Sequence, residues 1–232
     1  MFHGKQKAVT FSYDDGVLQD VRLIELFNRY GLKATFNLNS QLLGQENYLI
    51  REDVKVNHTK VQPAQVPTVY QGHEVAVHTL THPNLTTLEE DEIIRQVEED
   101  RHNLTALVGY EVEGMAYPCG GVNHDGRVAD VIRSKTGVRY SRTITSSYSF
   151  APQTDLLQFN PTVYHREWEE MFRLGEEFLA LQPDTPQVFY IWGHSYEFDI
   201  DDSWSRFEDF CRLISGKEDI FYGTNREILL SD

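Results

Sequence analysis

Lys7-Ala8-Val9-Thr10-Phe11-Ser12-Tyr13-Asp14-Asp15-Gly16 opens the first regular element of the chain. An apolar, β-prone run meets two carboxylates and a glycine, which reads as a buried strand entering a turn. The adjacent carboxylates repel each other and stiffen no regular element. Turns also recruit such residues for side-chain to backbone bonds, so the pair alone admits a purely structural reading. Residues 17–30 carry Val21, Leu23, Ile24, Leu26 and Phe27 at helical spacing and stop at Gly31. A second strand is expected at 33–38 and a third at 74–77, running into His78.

Residues 87–108 read as a helix, with Leu88, Ile93, Ile94, Val97, Leu104 and Leu107 near one face. Thr87 and Glu90 have the spacing of a capping box at its start. Further strands are expected at 114–117, 187–193 and 220–222, and further helices at 128–136, 167–181 and 203–214. The stretch 140–164 has no clear period. Residues 45–71 are polar, contain Pro63 and Pro67, and read as an irregular insertion with room for a short hairpin. Strands alternating with helices predict a parallel α/β fold. The whole chain, 1–232, is expected to be one catalytic domain, since no linker, repeat or low-complexity tract divides it.

The chain carries 36 acidic against 21 basic residues, a formal net charge of −15. That field repels phosphate backbones and anionic membrane surfaces, so neither nucleic acid nor membrane is an expected partner. No apolar run approaches the roughly 20 residues that span a bilayer. The two cysteines, Cys119 and Cys211, make no disulfide framework. With no leader visible, a cytoplasmic location is expected, and a secreted one if a leader precedes this sequence.

Three clusters carry chemistry. Asp14-Asp15 is the first. His78-Thr79-Leu80-Thr81-His82 is the second: histidines at i and i+4 face one way if the segment makes a helical turn, and both can then reach one metal ion. Two surface histidines by chance are the plain alternative. Val188-Phe189-Tyr190-Ile191-Trp192-Gly193-His194 is the third; on a strand Tyr190, Trp192 and His194 share a face. A satisfied core histidine is the plain reading of His194 taken alone. Together the three clusters hold a facial ligand set of one carboxylate and two histidines, a second carboxylate to act as base and a third histidine to act as acid.

On these residues the chain resembles the polysaccharide deacetylases (carbohydrate esterase family 4, the NodB-homology domain). The family's Thr-Phe-Asp-Asp-Gly motif is matched at residues 10–16, read here with two extra residues after Phe11. Its His-Ser/Thr-x-x-His motif is matched by His78 and His82, followed by Pro83-Asn84-Leu85. The resemblance runs over about residues 7–222 and implies a distorted (β/α) barrel with fewer strands than a TIM barrel. It implies Asp14 as general base, Asp15, His78 and His82 as ligands of one divalent ion (zinc, with cobalt or nickel as alternatives), and His194 as general acid. The family's Arg-x-Pro-Tyr/Phe-Gly motif reads Ala116-Tyr117-Pro118-Cys119-Gly120 here. The resemblance therefore implies an oxyanion donor at the Cys119 N–H, with Tyr117 and Trp192 beside the substrate.

The arginine of that motif is replaced by Ala116. Arg166, in Tyr164-His165-Arg166-Glu167-Trp168, is expected to orient the base, with Arg142 the other candidate and Trp168 an aromatic wall. Of Tyr13, Tyr117, Tyr148, Trp192, Tyr196 and Phe198, about half are expected to face a cleft. The expected reaction is removal of N-acetyl groups from a carbohydrate substrate. Hydrolysis of a small cyclic amide or other non-peptide C–N bond on the same scaffold, or a non-catalytic carbohydrate-binding role, are the alternatives.

Overall fold

All eight residues of the first strand, β1 (Lys7–Asp14), are buried, yet they alternate in character. Val9, Phe11 and Tyr13 face outward into the main hydrophobic core, where Phe27 packs on both rings at 4.7 and 5.9 Å between centroids. Thr10, Ser12 and Asp14 point the other way and find only polar partners: Asn225, Asn37 and Arg142. Successive strand residues face opposite sides, so two buried faces of opposite polarity mean an apolar jacket around a polar interior.

The computed structural model describes residues 2–231. After β1, α1 (Gln19–Tyr30) ends on Gly31 in the left-handed conformation and returns the chain to β2 (Ala34–Leu38). A hairpin of β3 (Tyr48–Arg51) and β4 (Val54–Asn57), then the short α2 (Val66–Val69), precede β5 (Glu74–Val77). The chain continues through α3 (Glu90–Val108), β6 (Gly114–Ala116), α4 (Gly126–Lys135), β7 (Tyr140–Arg142), β8 (Val163–Tyr164), α5 (Trp168–Ala180) and β9 (Gln187–Gly193). It ends with α6 (Trp204–Ile214), β10 (Ile220–Tyr222) and α7 (Asn225–Leu229).

The main sheet is parallel throughout, in the order β7-β6-β5-β2-β1-β9-β8, with β10 paired to the start of β1. It curls on itself. Residues 159–162 hydrogen-bond to β7 at one end, through Phe159 and Thr143, and to β9 at the other, through Thr162 and Tyr190. The result is the distorted α/β barrel that the sequence predicts, with fewer strands than a TIM barrel. The N-terminus of α7 fills the bottom of the barrel: Asn225 bonds Thr10 and Tyr190, while Glu74 is held by Thr35, Tyr140 and the Arg226 N–H. All of these groups are paired, as burial requires.

Three expectations need correction. β1 runs in unbroken register with both β2 and β9 as far as Asp14. No two-residue insertion exists, therefore; Ser12 and Tyr13 occupy the Thr-Phe positions of the family motif. The Thr87–Glu90 capping box does not form. Asn84 captures the Thr86 N–H, drawing residues Leu85–Thr87 into a 3₁₀ turn, and α3 starts only at Glu90. The 78–82 segment is not a helical turn: Thr79 and His82 have φ of 69° and 62°. The insertion does hold the short antiparallel hairpin for which its sequence left room.

Gly193 ends β9 directly before His194. A Cβ there would lie 2.6 Å from the ring of His165, which is itself held by Tyr13 and Glu197. Gly193→Ala should lower stability by about 1–3 kcal/mol through overpacking. Gly120→Ala, with open space around the added carbon, should change it by less than about 0.5 kcal/mol. Denaturant unfolding of the two variants checks this.

Candidate active site

Polar side chains converge where the strands end, as expected for a parallel barrel. Asp14 closes β1, His78 follows β5, Tyr117 and Cys119 follow β6, Arg142 closes β7, His165 follows β8 and His194 follows β9. They surround a cavity of about 780 Å³ whose lining includes Asp14, Asp15, His78, His82, Trp192 and His194.

Asp15, His78 and His82 each offer one ligand atom, all within 4.8 Å of one another. His78 Nδ1 lies 2.8 Å from the carbonyl of Ala116, which assigns the proton to Nδ1 and leaves Nε2 as the donor atom. His82 Nε2 is 3.7 Å from Asp15 Oδ1. Burial, above all, pushes both imidazoles down, His78 to about 4, so both are neutral at neutral pH. Asp15 is desolvated, yet Lys60 and His58 hold it well below the usual carboxylate range. Two neutral imidazoles and an ionised carboxylate are the protonation states a divalent cation needs, so these residues fit one.

The two histidines meet without a helix. Left-handed backbone at Thr79 and His82 folds the segment back, placing the rings 4.9 Å apart and edge to face. Such a conformation costs about 1–3 kcal/mol per residue and persists only when its surroundings demand it. Here they do. Asn39 donates to the carbonyls of His78 and Thr79, Gln96 holds Leu80 and Thr81, and the carboxylate of Asp100 accepts the His78 and Ser40 N–H groups.

Asp14 is 2 % exposed and lies against Arg142, which is 0 % exposed. The guanidinium grips both carboxylate oxygens, donates through Nε to Ser12 and stacks 4.4 Å from the ring of Trp192. Asn37 adds a bond of 2.8 Å to Asp14 Oδ1. Burial pushes the Asp14 carboxyl up, but Arg142, foremost among its neighbours, brings it below its ordinary value. The orienting guanidinium thus comes from β7. Arg166 is not near Asp14. It pairs with Glu52 of the hairpin at 2.7 Å and lies 4.0 Å from Asp201, because its place at the β8 exit aims it across the rim. Trp168 forms no cleft wall either; it stacks on His165 under Phe198, on the first turn of α5.

His194 faces the cavity with its Nδ1 3.2 Å from Glu197. Burial lowers it, but Glu197, then Asp15 and Asp14, outweigh burial and raise it to about 9. Glu197 is a hub: it also accepts from Tyr164, bonds His165 Nε2 at 2.8 Å and caps the His194 N–H at 3.0 Å. Cys119 has left-handed backbone, with φ of 70°, and among the described residues its N–H donates to no protein acceptor. Trp192 Nε1 is buried without a partner. Tyr117, in contrast, spends its hydroxyl on the Leu157 carbonyl and stacks on His124, so it offers the cavity only a wall. Tyr117, Trp192 and Tyr196 line the cavity, while Tyr13 and Phe198 are core and Tyr148 bonds Glu167 on the surface.

Three groups escaped the sequence reading: His58, Lys60 and Glu197. His58 Nε2 is 3.1 Å from Asp15 Oδ2, and Lys60 donates to the Asp15 carbonyl at 2.7 Å. Both sit just past β4, in a stretch without periodicity. Glu197 carried a signal: it lies three residues after His194, the spacing at which a carboxylate turns back on a strand end.

Removing the guanidinium of Arg142 leaves a buried carboxylate alone, so Arg142→Met should cost about 3–5 kcal/mol of stability. Arg166→Met removes a rim pair and should cost less than about 1 kcal/mol. Chemical denaturation of both variants distinguishes the two arginines.

A family model described as polysaccharide deacetylase matches residues 3–140. A bifunctional xylanase/deacetylase of Pseudobutyrivibrio xylanivorans is 25 % identical over 120 residues, 51 % of this chain and 18 % of that protein. The chain thus spans under a fifth of the length of that curated relative. Among solved structures, a family 4 carbohydrate esterase from Streptomyces lividans in complex with acetate superposes with a TM-score of 0.58, 16 % identity, and 95 % and 93 % of the two chains covered. A polysaccharide deacetylase from Bacillus cereus gives 0.54 at 14 % identity, covering 94 % and 91 %. A family 4 pseudoenzyme from Bacillus anthracis also gives 0.54, at 18 % identity and 97 % and 66 % coverage. At these identities the structures speak for the fold, and the family match speaks for descent: the chain belongs to the polysaccharide deacetylase family.

Proposed function

We propose that this protein is a metal-dependent hydrolase that removes N-acetyl groups from an N-acetylated saccharide. The observation that carries the reading is the juxtaposition in one cavity of a neutral two-histidine, one-carboxylate ligand set with a guanidinium-held carboxylate and a protonated histidine. A fold that also houses a pseudoenzyme does not itself imply activity; the complete set of groups does.

Asp15, His78 and His82 would hold the ion, zinc in the first instance, with cobalt or nickel as alternatives. When bound, it supplies a Lewis acid for the acyl carbonyl and a lowered pKa for water. The protein's own groups supply the rest. Asp14, kept ionised and oriented by Arg142, takes the proton of the attacking water. The unpaired N–H of Cys119 donates to the carbonyl oxygen as negative charge develops there. His194, charged beside Glu197, gives its proton to the departing amine. Trp192 and Tyr196 line the cavity and would give a bound sugar apolar edges to rest on.

Elemental analysis tests the ligand set. Wild-type protein should carry about one divalent ion per chain, and His78→Ala and His82→Ala should lose it while remaining folded. Asp14→Asn should keep the metal and lose about 10²–10⁴-fold in acetate release. Near-normal release in Asp14→Asn would remove Asp14 as the base.

The pH profile tests His194. Its pKa is raised, so the proton that serves the leaving group is present below about 9 and lost as pH rises through that value. The rate should therefore show an alkaline limb. Glu197→Gln removes the charge that raises His194, so the limb should move to lower pH by at least about one unit. An unmoved limb would assign it to another group.

A further inference from the structure

We infer that the β3–β4 hairpin end-stops the cleft, so that the site takes the terminal unit of a short N-acylated saccharide and excludes interior units of a long chain. The inference rests on the deacetylase reading above and adds the substrate's length and the position attacked.

The hairpin leaves the barrel after β2 and crosses the rim. Its root is stitched to the β1 exit: Val61 N–H bonds the Gly16 carbonyl, Leu18 N–H bonds the Thr59 carbonyl, and Val17 pairs with Lys60. Its inner face packs Leu49 and Val56 onto Val17, Tyr196 and Ile200, which sit on the β1 and β9 exits. Gln19 ties the Asn57 carbonyl to Asp199. The tip, Glu52, then reaches Arg166 at the β8 exit with two bonds of 2.7 and 3.0 Å. From β2 to β8 the rim has three strand steps, about 14 Å, and each four-residue arm extends about 13 Å. The hairpin therefore spans that whole sector.

Across this sector the wall of the cavity is hairpin: Asn47, Leu49, Arg51 and Glu52 line it above, and His58 and Lys60 line it near Asp15. From the β6 and β7 exits the lining includes Gly120 and Ile144. The Arg166–Glu52 pair lines the cavity with the hairpin, so a saccharide chain in the cleft meets a closed wall along the whole β2-to-β8 sector and cannot run out through it. The cavity of about 780 Å³ lies within the roughly 300–1,000 Å³ of sites that enclose small ligands. Tyr196 backs the hairpin at this end of the cavity, with its ring 5.1 Å from His58 and 5.2 Å from His194.

The test is acetate release from N-acetylglucosamine oligomers of one, two, four and six units and from acetanilide, with the deacetylated position located by mass spectrometry of fragments. The zinc-loaded full chain is used. Loss of acetate from one terminal unit, with kcat/KM rising less than about threefold from two to six units, is the expected result. Arg166→Ala/Glu52→Ala, which frees the tip, should raise the six-to-two ratio; a shortened hairpin with Gly-Gly replacing residues 49–56 should raise it further. A rise of about tenfold or more with length in wild type, with interior units attacked, overturns the end-stop and leaves the deacetylase reading standing. Release from acetanilide alone overturns the saccharide reading and, with it, this inference. Release from none of them overturns both.

Discussion

A guanidinium and a carboxylate, both withdrawn from water, meet at the top of the barrel, and the rest of the site is arranged around them. Burying two charges costs several kcal/mol per ion unless each is paired and its remaining hydrogen-bonding groups are satisfied. Arg142 and Asp14 meet that condition through Ser12, Asn37, the Thr143 carbonyl and the face of Trp192. Those partners exist because the inward face of β1 is polar from Thr10, bonded to Asn225, up to Asp14 at the rim. The upper part of the interior is thus mainly polar; the main apolar core lies outside it, under the helices, and a smaller apolar cluster around Ala8, Val188 and Phe159 lies at its base.

That arrangement explains what could be read in advance. Regular elements came out nearly residue for residue where one face is apolar and the period is clean: β5, β9 and β10 match the expectation, and α1, α5 and α6 differ by a residue or two at their ends. Asp14, Asp15, His78, His82 and His194 were legible because each ends a strand, and strand ends in a parallel barrel share one rim. Arg142 was obscured by its surroundings. β7 is three residues long and the wall beyond it is irregular, so no period marked its direction. Arg166 looked equally good because sequence distance says nothing about which exit an arginine leans over. His58 and Lys60 were invisible for a related reason: what brings them to Asp15 is the tertiary path of the hairpin, which has no local signature.

Four residues of the rim, Asp15, Thr79, His82 and Cys119, have left-handed backbone, and none is glycine. Unfavourable conformations at four functional positions need rigid support. It comes from buried polar groups on otherwise apolar faces. Gln96 and Asp100 sit on the core side of α3 among Ile93, Val97 and Leu104, where a leucine would bury more apolar surface. They are there to receive the N–H groups that the folded-back 78–82 segment exposes. A polar residue interrupting the apolar stripe of a helix was therefore the readable trace of a strained loop packed on it.

One cavity holds histidines in opposite charge states, and neighbours alone decide which is which. His78 is buried and His82 half-buried, the two are close to each other and, in the case of His82, to Lys60, so desolvation prevails and both stay neutral. His194 is half-buried, but Glu197 stands 3.2 Å away, and its charge, then those of Asp15 and Asp14, outweighs burial. The same carboxylate is kept ionised by the histidines it serves. In the proposed mechanism the metal ligands must be unprotonated and the proton donor must not be, and where the chain places one glutamate and one lysine sets these three chemically identical side chains apart in that way. Lys60 comes from the hairpin and Glu197 from the turn beyond β9, and the two pack against each other's elements through Val56 and Tyr196. The insertion that walls the cleft is in this way also part of the electrostatics that give it chemistry.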